Sequence, residues 1–203
     1  MAVISESRDF NGFATKVHRL DLSELVAEAA STLDFPLAVE ERKHANGTRG
    51  LRQTIDARFK ELGGWRMVKV GGVDWTKSSK KGATIGVEVQ VSGRSDMLAV
   101  DILHLKEKLH TGFIDAGLII VPDDTLSRFL TDRTPNYATA IKHLEAGASE
   151  LPIRVLAFRH DRAGYALRKM RTNLGRIAPE ASSGITTGRK VAESDPKNDS
   201  DSG

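Results

Sequence analysis

The sequence predicts an α/β (α+β) domain in which helices flank a central mixed β-sheet. Two observations predict it: apolar residues recur at helical spacing in several segments, and short apolar or alternating runs typical of strands lie between them. The chain has 203 residues, 28% charged and 39% hydrophobic, which is ordinary for a globular protein that forms its own core. It contains no cysteine, which excludes disulfides, thiolate zinc sites and a cysteine nucleophile.

Helices are predicted where apolar residues repeat every three or four positions. In the first, Asp21 is a candidate cap with Glu24 three residues later, and the second ends at Gly63 and Gly64. The predicted helices cover residues 22–33, 51–62, 98–109, 137–144 and 165–174.

Strands are predicted from alternation and from continuous apolar runs. Residues 83–91 alternate most regularly, and 114–121 have the unbroken apolar character of a strand buried on both faces. Gly71 and Gly72 separate two shorter strands. The predicted strands cover residues 65–70, 73–75, 83–91, 114–121 and 153–158.

The two ends of the chain differ in composition. We expect one domain over residues 1–178 and a disordered polar tail over 179–203, which is rich in Ser, Gly and Asp. The segment from Arg159 to Lys190 contains eight basic residues and only two acidic ones. This segment is either a solvated surface or a stripe that contacts phosphates, since the net charge of +3 does not by itself imply a nucleic-acid partner.

No membrane or export signal is expected in this sequence. The longest apolar run, residues 116–122, is too short to span a bilayer, and the N-terminus lacks the pattern of a signal peptide. We therefore expect a cytoplasmic protein with no membrane partner.

Oxygen ligands converge in one predicted strand. Alternation places Glu88 and Gln90 on one face, with the carbonyl of Val89 between them. Asp74 precedes Glu88 by fourteen residues, and a strand pair joined by the polar loop 76–82 would bring it opposite Glu88. Two carboxylates and a carbonyl suit Mg²⁺ and the hydrolysis of a phosphodiester. The alternative is a solvent-facing strand surface, because a Glu and a Gln two positions apart are common there.

Several segments in the same order resemble the BglII and BstYI family of type II restriction endonucleases. They are VDWTKSS, IGVEVQVSGRSDML, AVDILHL, GFIDAGLIIVPDDTL and LPIRVLAF. The opening FNGFATKVHR is similar to the N-terminal hairpin of that family. The resemblance covers roughly residues 10–160 and implies a PD-(D/E)xK restriction-endonuclease-like fold.

Residue by residue, the resemblance implies a catalytic set. Asp74 takes the place of the first metal-binding Asp, Glu88 that of the Glu in Glu-Val-Gln, and Gln90 that of the Gln which replaces the usual lysine. Asp56 takes the place of a polar helix residue that orients the attacking water. The family has Asn there, and an acidic residue is more similar to the BamHI-type arrangement. A solvated helix residue is the alternative for Asp56, and KKGAT is an apparent insertion before Glu88.

Base-contacting residues are implied in two places by the same resemblance. The first is Ser92, Gly93 and Arg94, directly after Glu-Val-Gln. The second is a loop before the predicted helix at Tyr137, with Asp132, Arg133 and Thr134. An arginine can donate two hydrogen bonds to guanine and an aspartate can accept one from cytosine, so the Asp-Arg pair would read a G·C base pair. An exposed charged turn is the alternative.

The predicted function is therefore that of a type II restriction endonuclease. It would be a Mg²⁺-dependent homodimer that cuts both strands of double-stranded DNA at a short palindrome and leaves 5′-phosphate ends. Residues 97–109 are the expected dimer helix, and the six histidines show no metal-ligand spacing. The alternatives are a repair or structure-specific nuclease, and a catalytically silent DNA-binding module on the same fold, against which the intact acidic residues argue.

Overall fold

The centre of the molecule is a six-stranded mixed sheet with the strand order β1-β7-β6-β5-β4-β3. The structure, a computed structural model, describes residues 2–68, 72–91, 95–131 and 133–169. The strands are β1 (Val3–Asp9), β2 (Ala38–Val39), β3 (Arg66–Met67), β4 (Trp75–Ser78), β5 (Thr84–Val89), β6 (Ala116–Pro122), β7 (Ile153–Arg159) and β8 (Arg162–Ala163). The helices are α1 (Phe13–Arg19), α2 (Ser23–Ser31), α3 (Arg49–Leu62), α4 (Ser95–His110), α5 (Asp124–Phe129) and α6 (Tyr137–Gly147).

Parallel strands form the middle of the sheet and antiparallel strands its edges. β5, β6 and β7 run parallel, whereas β1 pairs with β7, and β4 with β5, in antiparallel fashion. Every residue of β6 is buried, as its continuous apolar run predicts. The predicted α+β architecture with a mixed central sheet is confirmed.

Two hydrophobic cores lie on the two faces of the sheet. On one face, Val87 and Val89 of β5 share a core with Ile55 and Phe59 of α3, where the Phe59 ring stacks on Trp75 at 5.1 Å. On the other face, α4 and α6 pack against β6 and β7. The alternation of β5 therefore turns Glu88 and Gln90 away from α3 and toward α4.

Several local predictions of secondary structure are wrong. The segment likened to a hairpin contains α1, and the strand that pairs with β7 is β1, which its mixed polar sequence did not indicate. Leu22 rather than Asp21 occupies the N-cap position of α2, without a side-chain capping bond, and Asp21 precedes it with a positive φ of 59°. The second short strand is residues 75–78 instead of 73–75, so the connecting loop is shorter than expected.

The last described residues fold back over the start of the domain. β8 pairs in parallel with β2, and the amide of Gly47 donates to the Leu167 carbonyl at 2.8 Å. The fully buried Asn46 accepts from the Leu167 amide at 2.9 Å. Residues 165–169 are not helical, so the predicted helix 165–174 is wrong there. Its remainder and the expected tail 179–203 lie outside the described residues. None of the helices within the described ranges is long and apolar enough to cross a bilayer.

Candidate active site

The antiparallel pair of β4 and β5 brings Asp74 to Glu88. Trp75 pairs with Val87, so the residue before β4 comes to lie beside the end of β5. The Val89 amide donates to Asp74 Oδ2 at 2.8 Å, which fixes the carboxylate against the strand. The sequence expectation that this strand pair places Asp74 next to Glu88 is confirmed.

The Glu88 carboxyl group is buried in an acidic environment. Its residue is 2% exposed and that of Gln90 is 8% exposed, so a solvent-facing strand surface is the wrong interpretation. Burial, reinforced by the charges of Asp74 and Asp101, raises the pKa of Glu88 to about 10. Glu88 therefore holds a proton at neutral pH unless a cation compensates the surrounding negative charge.

Gln90 connects β5 to α4. Its Nε2 donates to Oδ2 of Asp101, which lies on α4 above this face of the sheet. Gln90 Oε1 and Glu88 Oε1 are both buried and have no hydrogen-bond partner among the described residues. Since a buried polar atom normally has a partner, these two oxygens mark a place where a ligand is expected.

Asp101 and His104 lie next to this site, although the sequence did not single them out. Together with Glu88 they offer ligand atoms that all lie within 4.8 Å of one another. Burial and the charge of Asp74 raise the pKa of Asp101 to about 6, and the charge of Arg52 offsets part of this shift. The available signal was their spacing of three residues on a helix, which places them on one side.

Arg52 of α3 is the second group that the sequence reasoning missed. Its Nη1 donates to the Val89 carbonyl at 2.7 Å, and its Nη2 lies 2.9 Å from Asp74 Oδ1. Its Nε contacts both carboxylate oxygens of Asp56, at 3.0 and 2.9 Å. Burial lowers the pKa of Arg52, but the two carboxylates outweigh it and the net shift is upward. One guanidinium thus joins α3, the residue before β4 and the end of β5.

Asp56 is held from two directions. Besides Arg52, the Trp75 indole Nε1 donates to Asp56 Oδ1 at 3.0 Å. Its side chain is only 18% exposed, so it is not a freely solvated helix residue. Asp56 therefore joins Asp74 through a shared arginine instead of by direct contact.

The residues expected to contact bases are described only in part. Ser92, Gly93, Arg94 and Asp132 lie outside the described residues. Arg133 is exposed and has a positive φ of 64°, and the Thr134 hydroxyl donates to the Thr131 carbonyl at 2.6 Å. Within the described ranges, neither Arg133 nor Thr134 shares a hydrogen bond or ion pair with the acidic site.

The donor set fits a divalent cation. Carboxylate and carbonyl oxygens are the ligands of hard cations, and an imidazole adds a nitrogen donor. The two buried oxygens without partners, at Glu88 and Gln90, are the observation that favours a bound ion over a purely structural acidic group. Such a group can hold a metal next to a phosphate backbone.

The site combines the buried Glu88 carboxyl group on β5 with the partly exposed Asp74 next to it, within a mixed sheet flanked by helices. The model of the family described as restriction endonuclease BglII/BglIII matches residues 11–158. This match spans more than two thirds of the 203-residue chain, and the protein belongs to the BglII restriction endonuclease family. Its α+β fold is restriction-endonuclease-like, and the family implies a nuclease that binds DNA and usually needs a divalent metal. No curated protein matches the chain significantly.

Proposed function

We propose that this protein is a type II restriction endonuclease, a Mg²⁺-dependent enzyme that cuts both strands of DNA at a short palindromic site. The observation that carries the proposal is that Glu88 and Gln90 each have a buried side-chain oxygen without a hydrogen-bond partner among the described residues. Asp74 is fixed beside them by the Val89 amide. Family membership supplies the class of substrate.

Asp74, Glu88 and the Val89 carbonyl would hold the metal. Mg²⁺ would neutralise the phosphate and lower the pKa of a bound water. Arg52 contacts both Asp74 and the Val89 carbonyl, so its guanidinium has to shift for a cation to share these ligands. Its side chain is 22% exposed, so the guanidinium is partly accessible to solvent.

Gln90 and Asp56 would position the attacking water. Gln90 Oε1 is free to accept a hydrogen bond from it, because the other end of the amide is anchored on Asp101. Asp56 is oriented in advance by the indole of Trp75. Attack on phosphorus with departure of the 3′ oxygen would leave 5′-phosphate ends.

Recognition of the DNA sequence would use groups other than the acidic residues, because a metal site contacts only the phosphate backbone of the DNA. Ser92, Gly93 and Arg94 follow the catalytic strand, and the loop with Asp132, Arg133 and Thr134 precedes α6. The exposure of Arg133 supports a role in contacting DNA.

A homodimer would match the two-fold symmetry of a palindrome. The outer side of α4 supports this assembly, because Met97, Val100 and Leu103 are exposed there at 46%, 38% and 60%. Three large apolar side chains at three-residue spacing form a row suited to packing against a second copy.

The decisive experiment is cleavage of unmodified linear DNA with Mg²⁺ or with EDTA. We expect fixed fragments with Mg²⁺ only, and none from Glu88→Ala, while DNA binding by this variant stays within about tenfold because base contacts use other groups. Glu107→Ala changes an exposed glutamate of α4 and is the matched control. Normal cutting by Glu88→Ala would eliminate the proposed site. Cutting without a fixed sequence would favour a structure-specific or repair nuclease, and binding without cutting would favour a silent module.

A further inference from the structure

Helix α4 presents two ligand-type side chains to the acidic face of the sheet. Leu98 and Leu105 are fully buried in the core beneath α4, which fixes the rotation of the helix. Asp101 and His104 therefore lie beside this buried row, three residues apart on one side of α4. Their ligand atoms and those of Glu88 all lie within 4.8 Å of one another, close enough to share one ion.

We propose that Glu88, Asp101 and His104 form a second divalent-cation site, which takes a transition-metal ion such as Mn²⁺ or Co²⁺ in preference to Mg²⁺. The inference rests on the proposed function only in that Glu88 also belongs to the Mg²⁺ set. Asp101 and His104 have no role in that set.

Two buried oxygens point to a ligand at this place. Glu88 Oε1 has no hydrogen-bond partner among the described residues, and Glu88 is only 2% exposed. Gln90 is not one of the three ligands, yet its Oε1 is also buried without a partner, while its Nε2 bonds to Asp101. The amide thus places an unused acceptor at the edge of the proposed site. A hydrated cation would satisfy both oxygens.

The proposed site and the Asp74–Val89 set share Glu88 but take their other ligands from different parts of the fold. On the α3 side, Arg52 already contacts Asp74 and the Val89 carbonyl, so positive charge is present. On the α4 side, the groups that meet are two carboxylates, one imidazole and one neutral amide.

The ligand types determine which ion fits. Mg²⁺ prefers all-oxygen coordination and keeps several waters, whereas an imidazole suits first-row transition metals. Mn²⁺ accepts mixed oxygen and nitrogen ligands, and Co²⁺ binds imidazole more strongly. His104 is therefore the residue that sets the preference, while Glu88 and Asp101 supply the charge.

The test measures metal binding by the full-length protein without DNA. Mn²⁺ binding is followed by electron paramagnetic resonance and Mg²⁺ binding by calorimetry, for the wild type, His104→Gln and the matched control His110→Gln on the same helix. We expect His104→Gln to weaken Mn²⁺ binding by about tenfold or more, the loss typical of a disturbed ligand shell. Mg²⁺ binding should change less than twofold, and His110→Gln should match the wild type. Nitrogen hyperfine coupling to bound Mn²⁺ should be present in the wild type and absent in His104→Gln.

Equal Mn²⁺ binding by His104→Gln and the wild type would overturn the proposal, as would the absence of nitrogen coupling in the wild type. A parallel loss of Mg²⁺ and Mn²⁺ binding would also overturn it, because His104 would then confer no preference. Asp74→Asn separates the two proposals, since it should abolish Mg²⁺-dependent cleavage and retain the His104-dependent nitrogen coupling. If the wild type cuts no DNA but shows that coupling, the nuclease proposal fails and the second site stands.

Discussion

The Val89 amide donates to Asp74 Oδ2 at 2.8 Å while the Val89 carbonyl accepts from Arg52 at 2.7 Å. Asp74 and Val89 are thus coupled directly, and again through Arg52, which contacts Asp74 Oδ1 at 2.9 Å. This closed arrangement joins the residue before β4, the end of β5 and α3. Removal of the Arg52 charge is therefore expected to change the stability of the protein and its response to Mg²⁺.

Arg52→Ala should destabilise the protein in EDTA by about 1–3 kcal/mol, because it leaves Asp74, Asp56 and the Val89 carbonyl without their shared donor. Millimolar Mg²⁺ should raise the melting temperature of this variant more than that of the wild type, since an ion can then occupy the position of the guanidinium. Thermal unfolding with and without Mg²⁺ measures both effects. The control is Arg58→Ala on the same helix, which loses an exposed ion pair with Glu61 and an exposed hydrogen bond to the Asp34 carbonyl. Because both contacts are exposed, the loss should be smaller, about 1 kcal/mol. Equal Mg²⁺ effects on Arg52→Ala and wild type would contradict the shared position.

Glu88→Gln should flatten the pH dependence of stability of the metal-free protein. The pKa of Glu88 is about 10 in the folded protein against an ordinary value of 4.5, so between these pH values the folded state holds a proton that the unfolded state has released. Its contribution is fully present below pH 4.5 and is lost as pH rises toward 10, by up to about 1.4 kcal/mol per pH unit. Glutamine removes this ionisation, so the variant should be the more stable protein at pH 8–9.

Urea unfolding in EDTA across pH 5–9 measures this difference. Glu107→Gln, an exposed change on α4, should keep the wild-type profile. Parallel profiles for Glu88→Gln and the wild type would show that Glu88 does not bind a proton on folding.

Arg133→Ala should reduce discrimination at one base pair of the recognition site, at a cost of about 1–3 kcal/mol if the guanidinium contacts guanine with two hydrogen bonds. The exposure of Arg133 makes such a contact accessible. Binding to the cognate site, to single-pair substitutions and to random duplex over a salt series is the measurement. Uniform weakening with a shallower salt slope would indicate a phosphate contact, and unchanged binding an exposed turn.

Leu103→Glu should convert the proposed homodimer into a monomer. Leu103 is 60% exposed in the apolar row of α4, and a carboxylate there would be desolvated in the expected interface. Sedimentation of both proteins at micromolar concentration tests this. Leu62→Glu is the control, because Leu62 is an exposed apolar residue at the end of α3. A wild-type monomer, or a dimer unaffected by Leu103→Glu, would refute the interface.

Periodicity predicted the parts of the fold in which burial follows a regular pattern. The fully buried β6 and the amphipathic α3, ended by Gly63, lie where the sequence places them. β1 was missed because six of its seven residues are exposed at the edge of the sheet, so its sequence shows no burial signal. The segment after β7 was misassigned because the Gly47 amide and the Asn46 side chain hold its backbone at Leu167, and such contacts produce no periodic pattern in the sequence.

The candidate site also contains residues that the sequence predicted and residues that it did not. Glu88 and Gln90 could be placed on one face because they share a strand, and Asp74 because it adjoins the neighbouring strand. Arg52 and Asp101 reach the site from helices on opposite faces of the sheet. Contacts of this kind depend on tertiary packing, so the local pattern of charges does not reveal them.

Helix α4 contributes residues to both the proposed dimer interface and the proposed second cation site. Asp101 and His104 lie on α4 between its buried row and the exposed row of Met97, Val100 and Leu103. A helix fixed by a second subunit would hold its ligands in place, so subunit association and ion binding would be thermodynamically linked. By reciprocity, dilution of the protein would weaken ion binding, and removal of the ion would weaken association by the same factor.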